Sequence, residues 1–512
     1  MTYPFNPDID LDFVNGVYSG VVGPPTSFLT TTRAGTAYAV DASGNWASFA
    51  ANTPRITNLG LLVEEARTNS IRNNSMQGAV VGTPGTLPTN WSIGLAGLSQ
   101  QVVGIGTVNG IDYIDLRLFG TTASTSGYIA LFENTSAIAA AQNDVWTESV
   151  FLGVSGGSLS NITSVQLDQV SIPGNADQNG PNILSQISSA FARFSLTITQ
   201  TLVGLTNLQP RLKFQCNNGA AVDVTWRVGW PQMEKGGWAT SPIRTTSAAV
   251  IRAIDNIVLT TPPTYGNNIT LVNTAIYFGP PNAAATQVPL TIDDSTSNNR
   301  MGAERAGVGR YAFFSTAASV VTFNSTSFVM NINTPYTIGI SNTNMNGGQQ
   351  VGSVNGIEGG YTFGAFPAGL SRTIIGSSFN AGALNGLVQH VGIWANVALN
   401  SLQQKIVGGF VPQSFVGPTS QRPIYVQNTL TGQIRGYSST TDLYAGGSNF
   451  AFIGFDPGIY EIGNFSGGAI SIAIGSNLYS LPNNTIETYT VHPDIGPSLR
   501  WQQYPWIGRN QL

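Results

Sequence analysis

From Val222 to Trp230 the sequence alternates. Val222, Val224, Trp226 and Val228 fall on one face, and Asp223, Thr225 and Arg227 on the other. Period two with β-branched and aromatic residues is the signature of a half-buried strand. Pro231 has no N–H to give, which predicts the end of the ladder there. Gly236-Gly237 permits a sharp turn, and Ser241-Pro242 drives the chain out extended. The stretch reads as the closing strand of one β-domain and the exit towards the next.

The rest of the chain favours the same kind of structure. Charged residues make up 9% and glycines number 59, against a usual charged share of roughly 25%. Little charge with abundant Gly, Ser, Thr and Asn predicts short strands and tight turns. Such a surface does little to keep molecules apart, so an oligomer or a component of a larger particle is expected. Net charge is −4 with no basic block, which argues against a nucleic-acid partner. Lys213, Lys235 and Lys405 are the only lysines, so positive charge is nearly all Arg, the better residue for planar hydrogen bonding. Cys216 is the single cysteine, which excludes an intrachain disulfide framework; it reads as a small buried hydrophobe. No apolar run reaches membrane-spanning length, so no membrane insertion is expected. The N-terminus is polar and acidic, unlike a secretory signal, which suits a protein made in a cytoplasm.

An all-β protein of about three or four domains follows from this length. Residues 1–69 are Pro-, Gly- and Thr-rich and read as an extended arm. Residues 70–245 read as a first antiparallel sandwich, with Tyr113, Asp115, Arg117 and Phe119 in one strand and Trp146, Glu148 and Val150 in another. Ala137–Ala141 is the one helix-friendly spot. Arg244–Ile254 is a crossover, and residues 255–411 read as a second sandwich. Residues 411–423 form a linker without apolar period, and residues 424–512 a small C-terminal β-domain. Its Trp501, Tyr504 and Trp506 suit docking to a neighbour or packing on their own domain.

Catalytic constellations are sparse. The histidines are His390 and His492; His390 sits mid-strand and reads as a cross-strand residue. Gly153-Val-Ser155-Gly-Gly157 has the spacing of a nucleophile elbow but runs into Leu-Ser-Asn and reads as a turn. A glycosidase needs two carboxylates across a cleft. Glu64 and Glu65 alternate in direction, and Asp112, Asp115, Glu133, Glu148, Glu304 and Glu358 are scattered. No catalytic residue is assigned. Asp293 and Asp294, in a turn with Asn298 and Asn299, are the candidate calcium ligands, with Asp177 and Asn179 as a further pair. For sugar binding, which joins aromatic faces to polar rims, Trp91, Trp238 and Tyr361 lie in loop-like contexts, while Trp146, Trp226 and Trp394 belong to alternating strands and to the core.

A resemblance joins these readings. Gln232-Met-Glu234-Lys-Gly, Ala239-Thr-Ser-Pro-Ile243-Arg-Thr245 and Ala248-Ala-Val-Ile-Arg252-Ala-Ile-Asp255 resemble a signature of bacteriophage structural proteins. Thr31-Thr-Arg33-Ala, Asn52-Thr-Pro54-Arg55 and Gly60-Leu-Leu-Val-Glu64-Glu65-Ala-Arg67-Thr-Asn69 are similar to its usual N-terminal companion. Where the commoner form has an aromatic in the exit segment, this chain has Pro242. The resemblance implies tandem jelly-roll sandwiches of the concanavalin/laminin-G or carbohydrate-binding type, and Gly386–Trp394 with the helical spacing of Leu399, Leu402 and Ile406 fits the end of such a fold. It implies a virion protein assembled in the bacterial host: a fibre, spike or decoration subunit in contact with other virion proteins. Residues 1–69 are its candidate anchor and host surface polysaccharide its candidate ligand. A purely structural neck or scaffold component, or a glycan-degrading virion enzyme, are the alternatives.

Overall fold

The computed structural model describes residues 3, 5–279, 286–307, 309–343, 348–379, 383–399 and 401–408, and the strands beyond them. The protein is all-β and antiparallel. It divides into two compact units, residues 1–399 and 400–512.

In the first unit, Ala221–Lys235 is central to a five-stranded sheet ordered Ser99–Val108, Ile111–Thr121, Ala221–Lys235, Val145–Ser158, Ala192–Thr199. Val222, Val224, Trp226 and Val228 are buried as their alternation predicts. They pack against Val165, Leu167, Leu212 and Phe214 of the facing sheet, in which Asn207–Cys216 lies between Ile162–Ile172 and Ser126–Leu131. Cys216 is buried, and so are Trp146 and Trp394.

Three local expectations change. The ladder does not end at Pro231: Trp230 adopts φ +37° and the register with Val145–Ser158 shifts there. The proline therefore sits at a bulge, where its missing donor costs little, and pairing continues to Lys235. Residues Gly153–Gly157 are the end of a strand rather than a turn. Ile138–Ala139, inside the helix-friendly stretch, pairs with Asn207–Leu208 as strand.

The second sandwich has a nine-stranded and a seven-stranded sheet, closed over Leu271, Ile292, Phe313, Ile338 and Ile393. The N-terminal segment is extended, as expected, but it is not a free arm. Ile9–Asp12 pairs with His390–Ile393, Gly60–Val63 with Gly386–Val388, and Leu29–Thr32 with Asn256–Leu259. These residues complete the second sandwich. Between them, the hairpin Ala37–Val40/Trp46–Phe49 lies on the outer face of the first: Tyr38 meets Trp230 at 4.7 Å and Trp46 meets Phe151 at 5.6 Å, both edge-on. A segment too poor in apolar residues for its own core thus serves two.

Where the sandwiches meet, a buried polar cluster gathers residues from the stretches Thr31–Asn69 and Gln232–Asp255. Arg55 donates to Glu64 Oε2 at 2.7 Å and also bonds Asp255. Arg33 holds the other Asp255 oxygen at 2.9 Å, and Arg252 lies 3.1 Å from Glu64. The Ser241 N–H donates to Glu64 Oε1 at 2.7 Å. Thr240 donates twice to Glu234, and Gln232 fixes the Ile243 N–H at 2.7 Å. Burial alone would raise the Glu64 carboxyl, but Arg252, Arg55 and the Ser241 hydrogen bonds outweigh it and hold it at about 2. Buried charges need this degree of pairing.

The second unit contains the helix Ser401–Val407. It also has a five-stranded sheet ordered Ile434–Tyr437, Ile424–Asn428, Gly458–Asn464, Thr485–Val491, Gln502–Gln503, and the hairpin Ile470–Ile474/Asn477–Leu481. The linker 411–423, His492 and the aromatics Trp501, Tyr504 and Trp506 lie outside the described residues.

Candidate functional site

The strand Ile111–Thr121 turns Ile114, Leu116 and Leu118 inwards. The alternate residues Tyr113, Asp115, Arg117 and Phe119 therefore stand on the outer face of the first sandwich, opposite Gly229, Arg227, Thr225 and Asp223 of the closing strand. There they form two planar forks. Arg227 Nε and Nη2 donate to Asp115 Oδ1 and Oδ2 at 2.9 and 2.8 Å. Arg117 Nε and Nη2 donate to Asp223 Oδ1 and Oδ2, both at 2.7 Å. Each guanidinium also covers a ring: Arg227 lies 3.9 Å from the Tyr113 centroid and Arg117 lies 4.6 Å from that of Phe119. The hydrogen bonds from Arg117 lower Asp223 below the usual carboxylate range, and those accepted by Asp115 raise Arg227.

The neighbouring edge strand keeps the face flat. Gly106 sits under the Tyr113 ring, and a side chain there would meet its hydroxyl at 2.8 Å. Gln101 accepts from Arg117 at 3.4 Å. At one end Phe191 stands edge-on to Tyr113 at 6.3 Å; beyond it Phe191 and Trp46 both pack on Phe151, so the N-terminal hairpin walls the face. Bidentate forks fix their donors and acceptors in one plane. Unused N–H groups and lone pairs beside aromatic rings suit a ligand that offers hydroxyls along one edge and C–H groups on its face.

The residues singled out from sequence are elsewhere and apart. Trp91 is 9% exposed; it donates to Asn73 O at 2.8 Å and meets Phe132 edge-on at 4.9 Å. Trp238 is 9% exposed, packed over Gly279 with the Arg67 guanidinium 5.3 Å from its ring. Neither presents an open face, because a flanking Gly or Pro does not make a loop an exposed one. The Tyr361 side chain lies outside the described residues; its backbone pairs with Val351. Asp293 is fully buried and held by Arg372 Nε and Nη2 at 2.8 and 2.6 Å. Asp294 caps its own turn through Thr296 and Asn299. Both carboxylates are thus engaged within the protein, and Asp177 likewise pairs with Lys213 at 2.6 Å. Among the described residues no three His, Cys, Asp or Glu side chains come together as a metal site.

Of the other carboxylates weighed for acid–base chemistry, Glu148 is fully buried with neither oxygen hydrogen-bonded, while others are paired. Asp112 pairs with Arg244 at 2.8 Å and Glu133 with Arg72 at 2.7 Å. His390 faces Asp10 and stacks on Tyr3 at 3.9 Å, the cross-strand role expected of it. What sequence reading missed was the outer face itself, although its signal was present: polar and aromatic residues at every second position opposite a buried aliphatic set.

No family model matches the chain, and no curated protein does. Among solved structures it is similar to the CBM40 domain of Ruminococcus gnavus IT-sialidase, with 12% identity over 30% of this chain and 96% of that chain and a TM-score of 0.25. It is similar to Domain 4 of AbnA, a GH43 extracellular arabinanase from Geobacillus stearothermophilus, in complex with arabinotriose (16% identity, 34% of this chain, 80% of that chain, TM-score 0.26). A third is the heptameric SAP-like pentraxin from Limulus polyphemus (14% identity, 30% and 73%, TM-score 0.23). At these scores the likeness carries no functional argument.

Proposed function

We propose that this chain is a non-catalytic, glycan-recognising structural subunit of a bacteriophage particle, and that the outer face of the first sandwich is where a host polysaccharide lies. The observation that carries the glycan reading is the double fork flanked by Tyr113 and Phe119. The virion reading draws on the signature residues. Gathered in the buried cluster, they tie one sandwich to the other through paired charges. Both guanidiniums on the face are neutralised by carboxylates, so the glycan is uncharged over the stretch it lays there.

A glycan array with the wild-type chain and with Tyr113→Ala and Phe119→Ala tests this. Loss of a stacked ring is worth about 1 kcal/mol, so each variant binds roughly fivefold to tenfold more weakly while its circular dichroism is unchanged. Binding persists in about 0.5 M salt, since no net charge is matched. No glycan bound by the wild type favours a purely structural subunit, whereas equal binding by the variants places the glycan away from this face. Antibody against the chain labelling purified particles tests the virion assignment separately.

A further inference from the structure

We infer that the chain self-associates through one side of the second sandwich, about a twofold axis. Val320–Val329 borders the seven-stranded sheet and Ile357–Phe363 borders the nine-stranded sheet. The two strands run side by side, close enough that a side chain at Gly364 would strike Thr322. Along this side Val320 is 69% exposed, Val321 56%, Val329 56%, Ile357 54% and Phe363 55%, and Ile332 continues the stripe.

Proteins ordinarily protect such borders with lysines, prolines, bulges or very short strands. Here the strands have ten and seven residues, and from Tyr311 to Ser371 the sole charged residue is Glu358. The opposite borders are guarded. Val17–Ser19 has three residues and lies beside Asp10 and Asp12. Leu29–Thr32 follows Pro24-Pro25. On the first sandwich, the border strand Ser99–Val108 is bridged by Gly82. That strand is equally long and carries exposed Val103 and Ile105, but the bridge interrupts it; among the described residues of the second sandwich, this side alone joins long strands to an apolar, nearly uncharged surface.

Its size suits a second copy. Ten residues at ~3.3 Å each make a strip ~33 Å long. Two sheet borders ~10 Å apart with their side chains make it ~20 Å wide, hence ~700 Å² per copy, close to the ~800 Å² per partner of a stable interface. A surface without like charges can face itself, as an isologous contact requires.

Light scattering on the full chain is the test. The wild type runs as a dimer or a multiple of dimers at micromolar concentration, and Val321→Glu with Ile357→Glu runs at 53.9 kDa with an unchanged circular dichroism spectrum. Val103→Glu, on the border strand of the first sandwich, leaves the assembly intact. Should the double variant fail to fold, Ser327→Cys decides: a short bismaleimide joins two copies through the new thiol, because Cys216 is buried. A monomeric wild type, a trimer, a double variant that stays assembled, or a folded Ser327→Cys that gives no cross-linked dimer would each overturn the inference.

Discussion

Glu64 and Glu304 place opposite demands on pH. Glu64 is held at about 2 in the folded protein, below its value in an unfolded chain. Its contribution is complete above about pH 4.5 and is lost as pH falls towards 2, with a total on the order of 3 kcal/mol. Burial lifts Glu304 to about 7 against the attraction of Arg300. That contribution is complete below about pH 4.5 and is lost as pH rises through 7. Burial raises Glu148 in the same sense. Two substitutions separate these effects. Glu64→Gln lowers stability at neutral pH by about 3–5 kcal/mol, because Arg55 and Arg252 stay buried with one partner fewer; urea unfolding measures it. Glu304→Gln leaves stability at about pH 5 nearly unchanged and flattens its decline towards pH 8, seen as converging urea midpoints. Residue types were legible in the sequence, but partnerships were not. Asp293 and Arg372 are 79 positions apart, and no local pattern announces that one engages the other.

Elements were more legible than single residues wherever the period was clear. Val222–Val228 follows from alternation alone, since it has a buried side to satisfy, and Gly386–Trp394 was legible as a strand from its apolar residues. Where composition stood in for period the reading slipped. Gly153–Gly157 looked like a turn, yet in the strand Gly153 allows close passage of the Ala190 carbonyl. Pro231 looked like a stop, yet a bulge absorbs it. The hairpin Ala37–Val40/Trp46–Phe49 shows the same dependence on distant surroundings, because nothing within it says that it rests on Phe151 and Trp230. Gly110 is fitted beneath it at φ +81°, where a Cβ would lie 2.2 Å from the Trp46 carbonyl oxygen. Gly110→Ala therefore costs about 2 kcal/mol or more through strain and displacement of the hairpin. Thermal unfolding followed by tryptophan fluorescence shows it as an earlier loss of the Trp46 environment.

At the scale of the molecule, the cluster of Arg33, Arg55, Glu64, Arg252 and Asp255 decides whether the two sandwiches behave as one. They share it and the segment 9–63, so residues 1–399 unfold in a single transition. Arg55→Ala leaves Glu64 and Asp255 buried beside fewer cations and separates the transition into two, resolved by calorimetry as two heat-absorption peaks. That there would be two sandwiches was legible from strand rhythm. That residues 1–69 would belong to both was not, because a strand completed by partners more than 300 positions away resembles a tail. Ile9–Asp12 bonding to His390–Ile393 also has a consequence for synthesis. Contacts this remote along the chain are slow to form, and the sheet that needs them stays open until the ribosome has released nearly four hundred residues. The first sandwich can close while translation continues. The second has to wait with its border uncovered, so a nascent chain halted before Gly386 should remain protease-sensitive at its beginning, however well its middle has folded.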